Sequence, residues 1–165
     1  MFLDIAHGPS APQEVLTITV AVNRASRDVA FMSFIVPTTA SPLSGLRIAF
    51  AALDEKGAGA PVKVTQTAIL PFEECRSDGC VARVPGGVFR PSPVHPAIDL
   101  LQLFKSAHLV EFEYVVNGQA VRASTALRGF QISHDKVMDK EFGPVAPVPS
   151  RPAPAPRSQG IQTSM

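Results

Sequence analysis

Two cysteines stand five positions apart in the stretch PFEECRSDGCVARV at residues 71–84, and the chain has no others. The dipeptide Asp78-Gly79 lies between them and is typical of hairpin turns, because Gly adopts positive φ without a steric clash and Asp tolerates it. A turn there would bring the Cα atoms of Cys75 and Cys80 within the roughly 7 Å that a disulfide requires. The spacing therefore predicts a β-hairpin closed by a Cys75–Cys80 disulfide. Because the closed loop is short, the bond would contribute only about 2 kcal/mol.

Other interpretations of this cysteine pair stay open. Two reduced thiols would pack as small apolar side chains. A structural zinc needs about four N or S ligands, and no Cys or His here lies at zinc-finger spacing. A thioredoxin-like redox pair has C-x-x-C at the start of a helix, whereas this chain has C-x4-C among strand-forming residues. The flanking pattern favours the structural disulfide.

Length and charge limit the classes of protein to which the chain can belong. With 165 residues, 45% of them hydrophobic, it is long enough for one domain with a core and too short for two of ordinary size. The 15 basic and 14 acidic residues nearly cancel. That balance offers no electrostatic argument for a nucleic-acid partner. The sequence contains no apolar run of about 18 residues, so we expect no transmembrane segment.

Short alternating segments separated by turn residues predict a series of β-strands. The predicted strands cover residues 14–23, 29–36, 46–53, 62–70, 108–116 and 119–127. The last two are joined by Asn117-Gly118, which is the strongest short hairpin signal. We also expect the first two to pair as a hairpin. The pattern predicts a mainly β protein, an antiparallel β-sandwich or barrel-like domain with one or two short helices.

Two short helices accompany the predicted strands. Pro96 would occupy the first turn of a helix over residues 97–105, where its missing N–H costs nothing. A second amphipathic helix is predicted over residues 131–142. Its apolar residues are expected to dock on the core, and they are Val137, Met138 and Phe142.

The ends of the chain differ in composition from its middle. Residues 1–12 contain Gly8, Pro9 and Pro12, and we expect an irregular lead-in there. Residues 13–142 are predicted to form the single β-rich domain. Residues 143–165 are rich in proline and poor in large apolar side chains, which predicts a disordered, partly polyproline II tail.

No arrangement of residues in the sequence indicates catalysis. The four histidines are scattered, at His7, His95, His108 and His134. Glu111 and Glu113 share one face of a predicted strand while His108 points to the other, which disfavours a metal site there. Ser10, Ser44 and Ser106 lack a G-x-S-x-G setting, and no glycine-rich phosphate loop follows a strand. We therefore expect no enzymatic activity, no cofactor and no bound metal.

From Leu70 onward the sequence resembles the invasion-associated locus B family of Gram-negative bacteria. In that family a proline-aromatic pair precedes C-x4-C with a glycine before the second cysteine, and the matching residues here are Pro71, Phe72, Cys75, Gly79 and Cys80. A short helix, a hairpin with a glycine turn and a Gly-Phe pair before a terminal helix follow in the family. They are matched by residues 98–104, Asn117-Gly118 and Gly129-Phe130. The resemblance covers roughly residues 28–140.

This resemblance implies a periplasmic, secreted or envelope-associated all-β protein, of a family linked in pathogens to entry into host cells and without a known reaction or ligand. We therefore expect a non-enzymatic binding module that uses exposed strand edges or loops to hold an unknown protein or envelope partner. The first residues show neither the basic region nor the long apolar region of a signal peptide. A second hypothesis thus stays open, a cytoplasmic β-rich accessory or scaffold protein with reduced thiols.

Overall fold

The computed structural model describes residues 2–6, 15–52 and 63–143. Within these ranges the chain forms eleven strands and two helices. In chain order they are β1 Phe2–Ala6, β2 Val15–Val22, β3 Val29–Val36, β4 Leu46–Ala52, β5 Lys63–Leu70, β6 Glu74–Arg76, β7 Gly79–Pro85, β8 Val88–Phe89, β9 Ile98–Asp99, α1 Leu100–Ser106, β10 Leu109–Val116, β11 Gln119–Ala126 and α2 Phe130–Phe142. The predicted mainly β class with two short helices is confirmed.

The strands form two main sheets and a small ribbon. The first sheet has the strand order β1-β2-β3-β7-β6, and the second has the order β11-β10-β4-β5. The two-residue strands β8 and β9 pair separately. All neighbouring strands are antiparallel. In the described part of the chain the sheets form a sandwich and do not close into a barrel.

A shared apolar core lies between the two sheets. Strand β2 contributes Leu16, Ile18 and Val20, which are buried as the alternation predicts. The aromatic part of the core joins both sheets to α1. The ring of Phe104 in α1 lies 6.3 Å from that of Phe34 in the first sheet and 6.4 Å from that of Phe112 in the second. Helix α1 is therefore anchored in the core by its two buried side chains, Leu100 and Phe104, and Phe104 contacts both layers.

The two hairpins predicted from residues 14–36 and 108–127 are confirmed. Strands β2 and β3 pair with each other, and so do β10 and β11. At the turn between β10 and β11, Asn117 and Gly118 have φ values of 50° and 75°. Positive φ at both central residues is the geometry of the turn that matches the natural twist of two paired strands. The sequence pair thus sets the register of this hairpin.

The irregular lead-in predicted for residues 1–12 is wrong for its first half. Phe2–Ala6 forms β1 and pairs with β2, from Phe2 opposite Thr19 to Ala6 opposite Val15. The residues that argued against a strand are Gly8, Pro9 and Pro12, and they all follow Ala6 in the sequence. An edge strand needs a partner on one side only, so this short segment can pair before the prolines begin.

The first helix begins later than predicted, and Pro96 is not in it. Ile98 and Asp99 form β9 opposite β8, and α1 then begins at Leu100. The side chain of Asp99 accepts a hydrogen bond from the backbone N–H of Gln102 at 2.9 Å. An aspartate is one of the best N-cap residues. The cap, together with strand pairing, therefore places the helix start three residues beyond the predicted one.

The second helix is present, but it docks differently from the prediction. Val137 is 38% exposed, and Met138 and Phe142 are only half-buried. The buried residue of α2 is His134, at 7% exposure, and Phe130 places its ring 5.5 Å from that of Phe104. The helix thus packs on the core mainly through its first turns. Of the tail predicted for residues 143–165, all but Gly143 lies outside the described residues. Neither α1 nor α2 is long and apolar enough to cross a membrane.

Candidate functional site

The cysteine pair lies where the sequence predicts, in a hairpin of β6 and β7. Cys75 faces Cys80 directly across the two strands, with their Cα atoms 3.9 Å apart and their sulfur atoms at disulfide distance. Cys75 is exposed, whereas Cys80 is buried in the core. The hairpin and the closeness of the two sulfurs are confirmed. Their oxidation in the cell stays a prediction.

The turn of this hairpin is shifted by one residue from the predicted one. Arg76 pairs with Gly79, so the two-residue loop is Ser77-Asp78 rather than Asp78-Gly79. Gly79 is needed for a different reason. At its φ of 153°, a Cβ atom would lie 2.6 Å from the carbonyl oxygen of Val36. Only glycine allows β3 and the hairpin to approach this closely.

The residues with potential for metal binding or catalysis are dispersed. His95 lies between β8 and β9, His108 lies between α1 and β10, and His134 lies in α2, while His7 is outside the described residues. Glu111 and Glu113 do share the outer face of β10. Across the described ranges, no three His, Cys, Asp or Glu side chains come together as a metal site.

Both carboxylates on β10 are engaged by arginines. Glu111 Oε1 lies 3.5 Å from Nη1 of Arg47 on β4, and Glu113 accepts a hydrogen bond from Arg122 Nε on β11. The hydrogen bond from Arg122 and the charge of Glu113 raise the pKa of the Arg122 guanidinium above its ordinary value. These ion pairs bridge neighbouring strands on an exposed face, which is a structural role.

A cleft of about 660 Å³ opens beside strand β5. One wall consists of the consecutive residues Gln66, Thr67, Ala68 and Ile69. Successive side chains of a strand point to opposite faces of its sheet. A cavity that contacts an unbroken run of strand residues must therefore follow the edge of the strand. We call this cavity the β5 cleft.

The opposite wall of the β5 cleft comes from the β8–β9 ribbon, the proline-containing segment within it and helix α1. Its residues are Phe89, Pro91, His95, Pro96, Ala97, Ile98, Asp99, Gln102 and Leu103. Most of these side chains are apolar. A concave, mainly apolar surface with a few polar groups is typical of binding sites, and the volume lies within their usual range of about 300–1,000 Å³.

Several contacts hold this opposite wall in place. The N–H of Leu100 donates to the carbonyl of Gly87 at 2.9 Å, which ties α1 to the ribbon. Phe104 anchors the same helix in the core. Ser92 Oγ lies 2.6 Å from His95 Nδ1, within the segment between β8 and β9. The cleft is thus a preformed feature of the fold.

The contact between Ser92 and His95 is a turn interaction rather than a catalytic dyad. The backbone N–H of His95 also donates to the carbonyl of Ser92, at 3.3 Å. In the described part of the structure, the ring of His95 has no carboxylate to orient it, as a catalytic base would require. Asp99 is the carboxylate in the lining, and its side chain caps α1. The cleft therefore offers a binding surface and no assembled reactive group.

Strand β5 has few of the features that usually protect a sheet edge, and those it has lie at its start, namely Lys63 and a shift of register against β4 near Thr65. Edge strands are commonly blunted by charges, proline, bulges or short length. Residues 64–70, VTQTAIL, carry neither a charge nor a proline. Val64 and Ile69 are 53% and 59% exposed. Within the described ranges β4 is the only strand that pairs with β5, which leaves its other edge available.

The sequence alone does not identify this site. Its pattern predicts the strand at residues 62–70, and we expect exposed strand edges to be binding elements, but no sequence feature selects one edge. The nearest signal is the lack of charge and proline after Lys63. The opposite wall had no such signal, because the two-residue strands β8 and β9 are too short to predict. No family model, curated protein or solved structure matches this chain.

Proposed function

We propose that the protein is a non-enzymatic binding module that holds an extended segment of a partner polypeptide along the outer edge of β5. The observation that carries this proposal is a mainly apolar cleft that follows the main chain of β5, an edge strand with neither a charge nor a proline after Lys63. A segment added to a sheet edge gains affinity from main-chain hydrogen bonds and specificity from pockets for alternate side chains. The β5 cleft can supply both.

We further propose an envelope-associated location, periplasmic or secreted, with a role of the invasion-associated locus B type in host-cell interaction or envelope function. The family resemblance supports it, and so does the cysteine pair at disulfide distance. Disulfides persist mainly in oxidising compartments. The alternative is a cytoplasmic accessory or scaffold protein that uses the same cleft with reduced thiols.

Alkylation of the endogenous protein separates these two locations. A periplasmic species whose cysteines react only after reduction supports the envelope proposal. A cytoplasmic species with two freely reactive thiols contradicts it and favours the accessory protein. Intact-mass measurement of both cell fractions provides the readout.

The binding proposal can be tested by filling the cleft. Ala97 is exposed and lines the cleft, so a tryptophan there would occupy the cavity without replacing a core side chain. The probe is a phage-displayed library of linear peptides selected against the full chain. We expect Ala97→Trp to weaken binding of the selected peptides by roughly tenfold or more, equal to about 1.4 kcal/mol.

The matched control is Ala120→Trp, an exposed alanine on β11 at the other edge of the same sheet. It should leave peptide affinity unchanged. Strand addition also predicts that alternate amides of β5 gain protection from hydrogen exchange, because only alternate residues direct their N–H groups to the outer edge. A selection that yields no binders, or binders that ignore Ala97→Trp, would overturn the proposal.

A further inference from the structure

We infer that the partner segment is uncharged where it enters the β5 cleft and inserts one bulky apolar side chain into a subsite formed by Ala68, Phe89, Ile98 and Leu103. This inference rests on the proposed function and specifies the chemistry of the partner. It follows from three features: side chains of β5 alternate between the two faces of the sheet, the cleft has space beside the small side chain of Ala68, and the residues of the subsite are uncharged.

The alternation of β5 determines which partner side chains enter the cleft. Ala68 pairs with Ile48 of β4. Both side chains are buried and face the core side of the sheet. Thr67 and Ile69 point to the opposite, outer face. A strand that pairs with β5 alternates in the same way. Its side chain beside Ala68 therefore points inward, and the side chains before and after it point to solvent.

Ala68 is the smallest residue in the inward row of β5, between Gln66 and Leu70. Across the cleft, the half-buried Ile98 and Leu103 pack against the core and also line the cavity. Ala68 is itself buried, so the available space is that of the cleft between these residues, and a partner side chain placed there would pack against them as interior side chains do. A leucine or an aromatic residue at this position would make such contacts.

The subsite has no charged side chain of its own, which disfavours an ionised side chain from the partner. Asp99 is exposed, caps α1 by accepting a hydrogen bond from the Gln102 N–H, and is not one of the four residues that form the subsite. The ring of His95 contacts Ser92. Among the described lining residues no further ionisable side chain is present to pair with an incoming charge. Burial of an unpaired charge is costly, so the inserted side chain is apolar.

A second copy of this chain is a competing occupant, since two β5 edges could pair around a twofold axis. In that arrangement the second β5 would arrive as part of a whole sheet. The ribbon and α1 stand opposite the edge of β5 and form the far wall of the cleft. A single extended segment fits this space more readily than the edge of a second sandwich, and the experiment below distinguishes the two.

The test is a positional scan of a peptide selected as described above. Each position is replaced in turn by Ala, Leu, Phe, Asp or Lys, and the affinity for the full chain is measured. We expect one position to require Leu or Phe, with a loss of roughly tenfold on Ala and a larger loss on Asp. The neighbouring positions on both sides should tolerate polar residues.

A variant of the protein tests the same subsite from the other side. Leu103→Ala enlarges the subsite and should shift the preference at the required position from Leu towards Phe or Trp. The matched control is Leu101→Ala, a half-buried leucine of the same helix that does not line the cleft. It should leave the preference unchanged. Circular dichroism checks that both variants are folded.

The outcomes separate the inference from the proposed function. If every peptide position tolerates Asp, or if Leu103→Ala behaves like Leu101→Ala, while β5 amides still gain protection, the subsite is refuted and strand addition stands. If no peptide binds and the β5 amides do not change, both fail. A concentration-dependent dimer that Ala97→Trp abolishes, without any selected peptide, would identify the second copy as the occupant and overturn the inference.

Discussion

Strands β5 and β6 follow each other in the chain and both lie at a sheet edge, but they are built in opposite ways. β6 has three residues, carries Glu74 and Arg76, and is joined to β7 through the cysteine pair. β5 has eight residues and carries no charge beyond Lys63. Edges of the first kind resist pairing with another chain, whereas edges of the second kind permit it. The comparison indicates that the chain protects one edge and leaves the other free for a partner.

The same comparison extends to what lies beside each edge. β6 is exposed along its whole length. β5 faces the anchored wall of the ribbon and α1 across the β5 cleft. An open edge without an opposing wall is an aggregation hazard. The wall formed by the ribbon and α1 restricts access to the edge of β5, so that only a segment that fits the cleft can pair with it. An edge with such a wall is suited to selective binding, whereas an open edge is not.

The largest expected effect comes from removing the anchor of the cleft wall. Phe104 is fully buried and contacts aromatic rings of both sheets, Phe34 in the first and Phe112 in the second. Phe104→Ala should lower the free energy of unfolding by about 3–5 kcal/mol, through lost burial and the cavity left behind. Urea denaturation measures it. The half-buried Leu101 is the control, and its alanine variant should lose clearly less. Equal losses would show that Phe104 is not the anchor.

Reduction of the Cys75–Cys80 bond tests the other edge. We expect addition of a reductant to lower the free energy of unfolding by about 2 kcal/mol, because only a short loop is released. Peptide binding at β5 should not change, since the hairpin belongs to the other sheet. The double variant Cys75→Ala, Cys80→Ala should show no response to the reductant. A loss of peptide binding on reduction would mean that the two edges are coupled.

A smaller effect is expected at the helix cap beside the cleft. Asp99→Ala removes the side-chain acceptor for the Gln102 N–H and should cost about 1 kcal/mol. Asp99→Asn keeps an N-cap acceptor and should be nearly neutral. Thermal unfolding of the three proteins gives the comparison. If Asn destabilises as much as Ala, the role of Asp99 is not that of a cap.

The smallest effect on stability should come from a charge on the open edge. Ile69 is well exposed, so Ile69→Lys should change the free energy of unfolding by less than about 0.5 kcal/mol. It should still reduce peptide affinity severalfold, because lysine gives β5 the protection that other edges have. Ile132→Lys, at an exposed site on α2, is the control. Equal affinity for both variants would argue against binding along β5.

Much of the fold could be predicted because its signals are local. The alternation in β2 indicates which side chains are buried, and Asn117-Gly118 specifies a hairpin whose residues are neighbours in the chain. The cysteine spacing predicts β6 and β7 for the same reason. The start of α1 could not be predicted because both Pro96 and Asp99 are suitable residues for a helix start. Asp99 is the cap because Ile98 pairs in β9, and that pairing has no signal in the sequence.

The sequence alone therefore determined the class of the fold, the hairpins and the cysteine pair, since each depends on residues a few positions apart. Only the tertiary structure decided that residues 66–69 and 89–103 form one cleft, and that His134 rather than Val137 is the buried residue of α2. Both outcomes depend on where helices pack on a core assembled from two sheets. Long-range packing of this kind, centred on Phe104, leaves no periodic signal in the segments that it brings together.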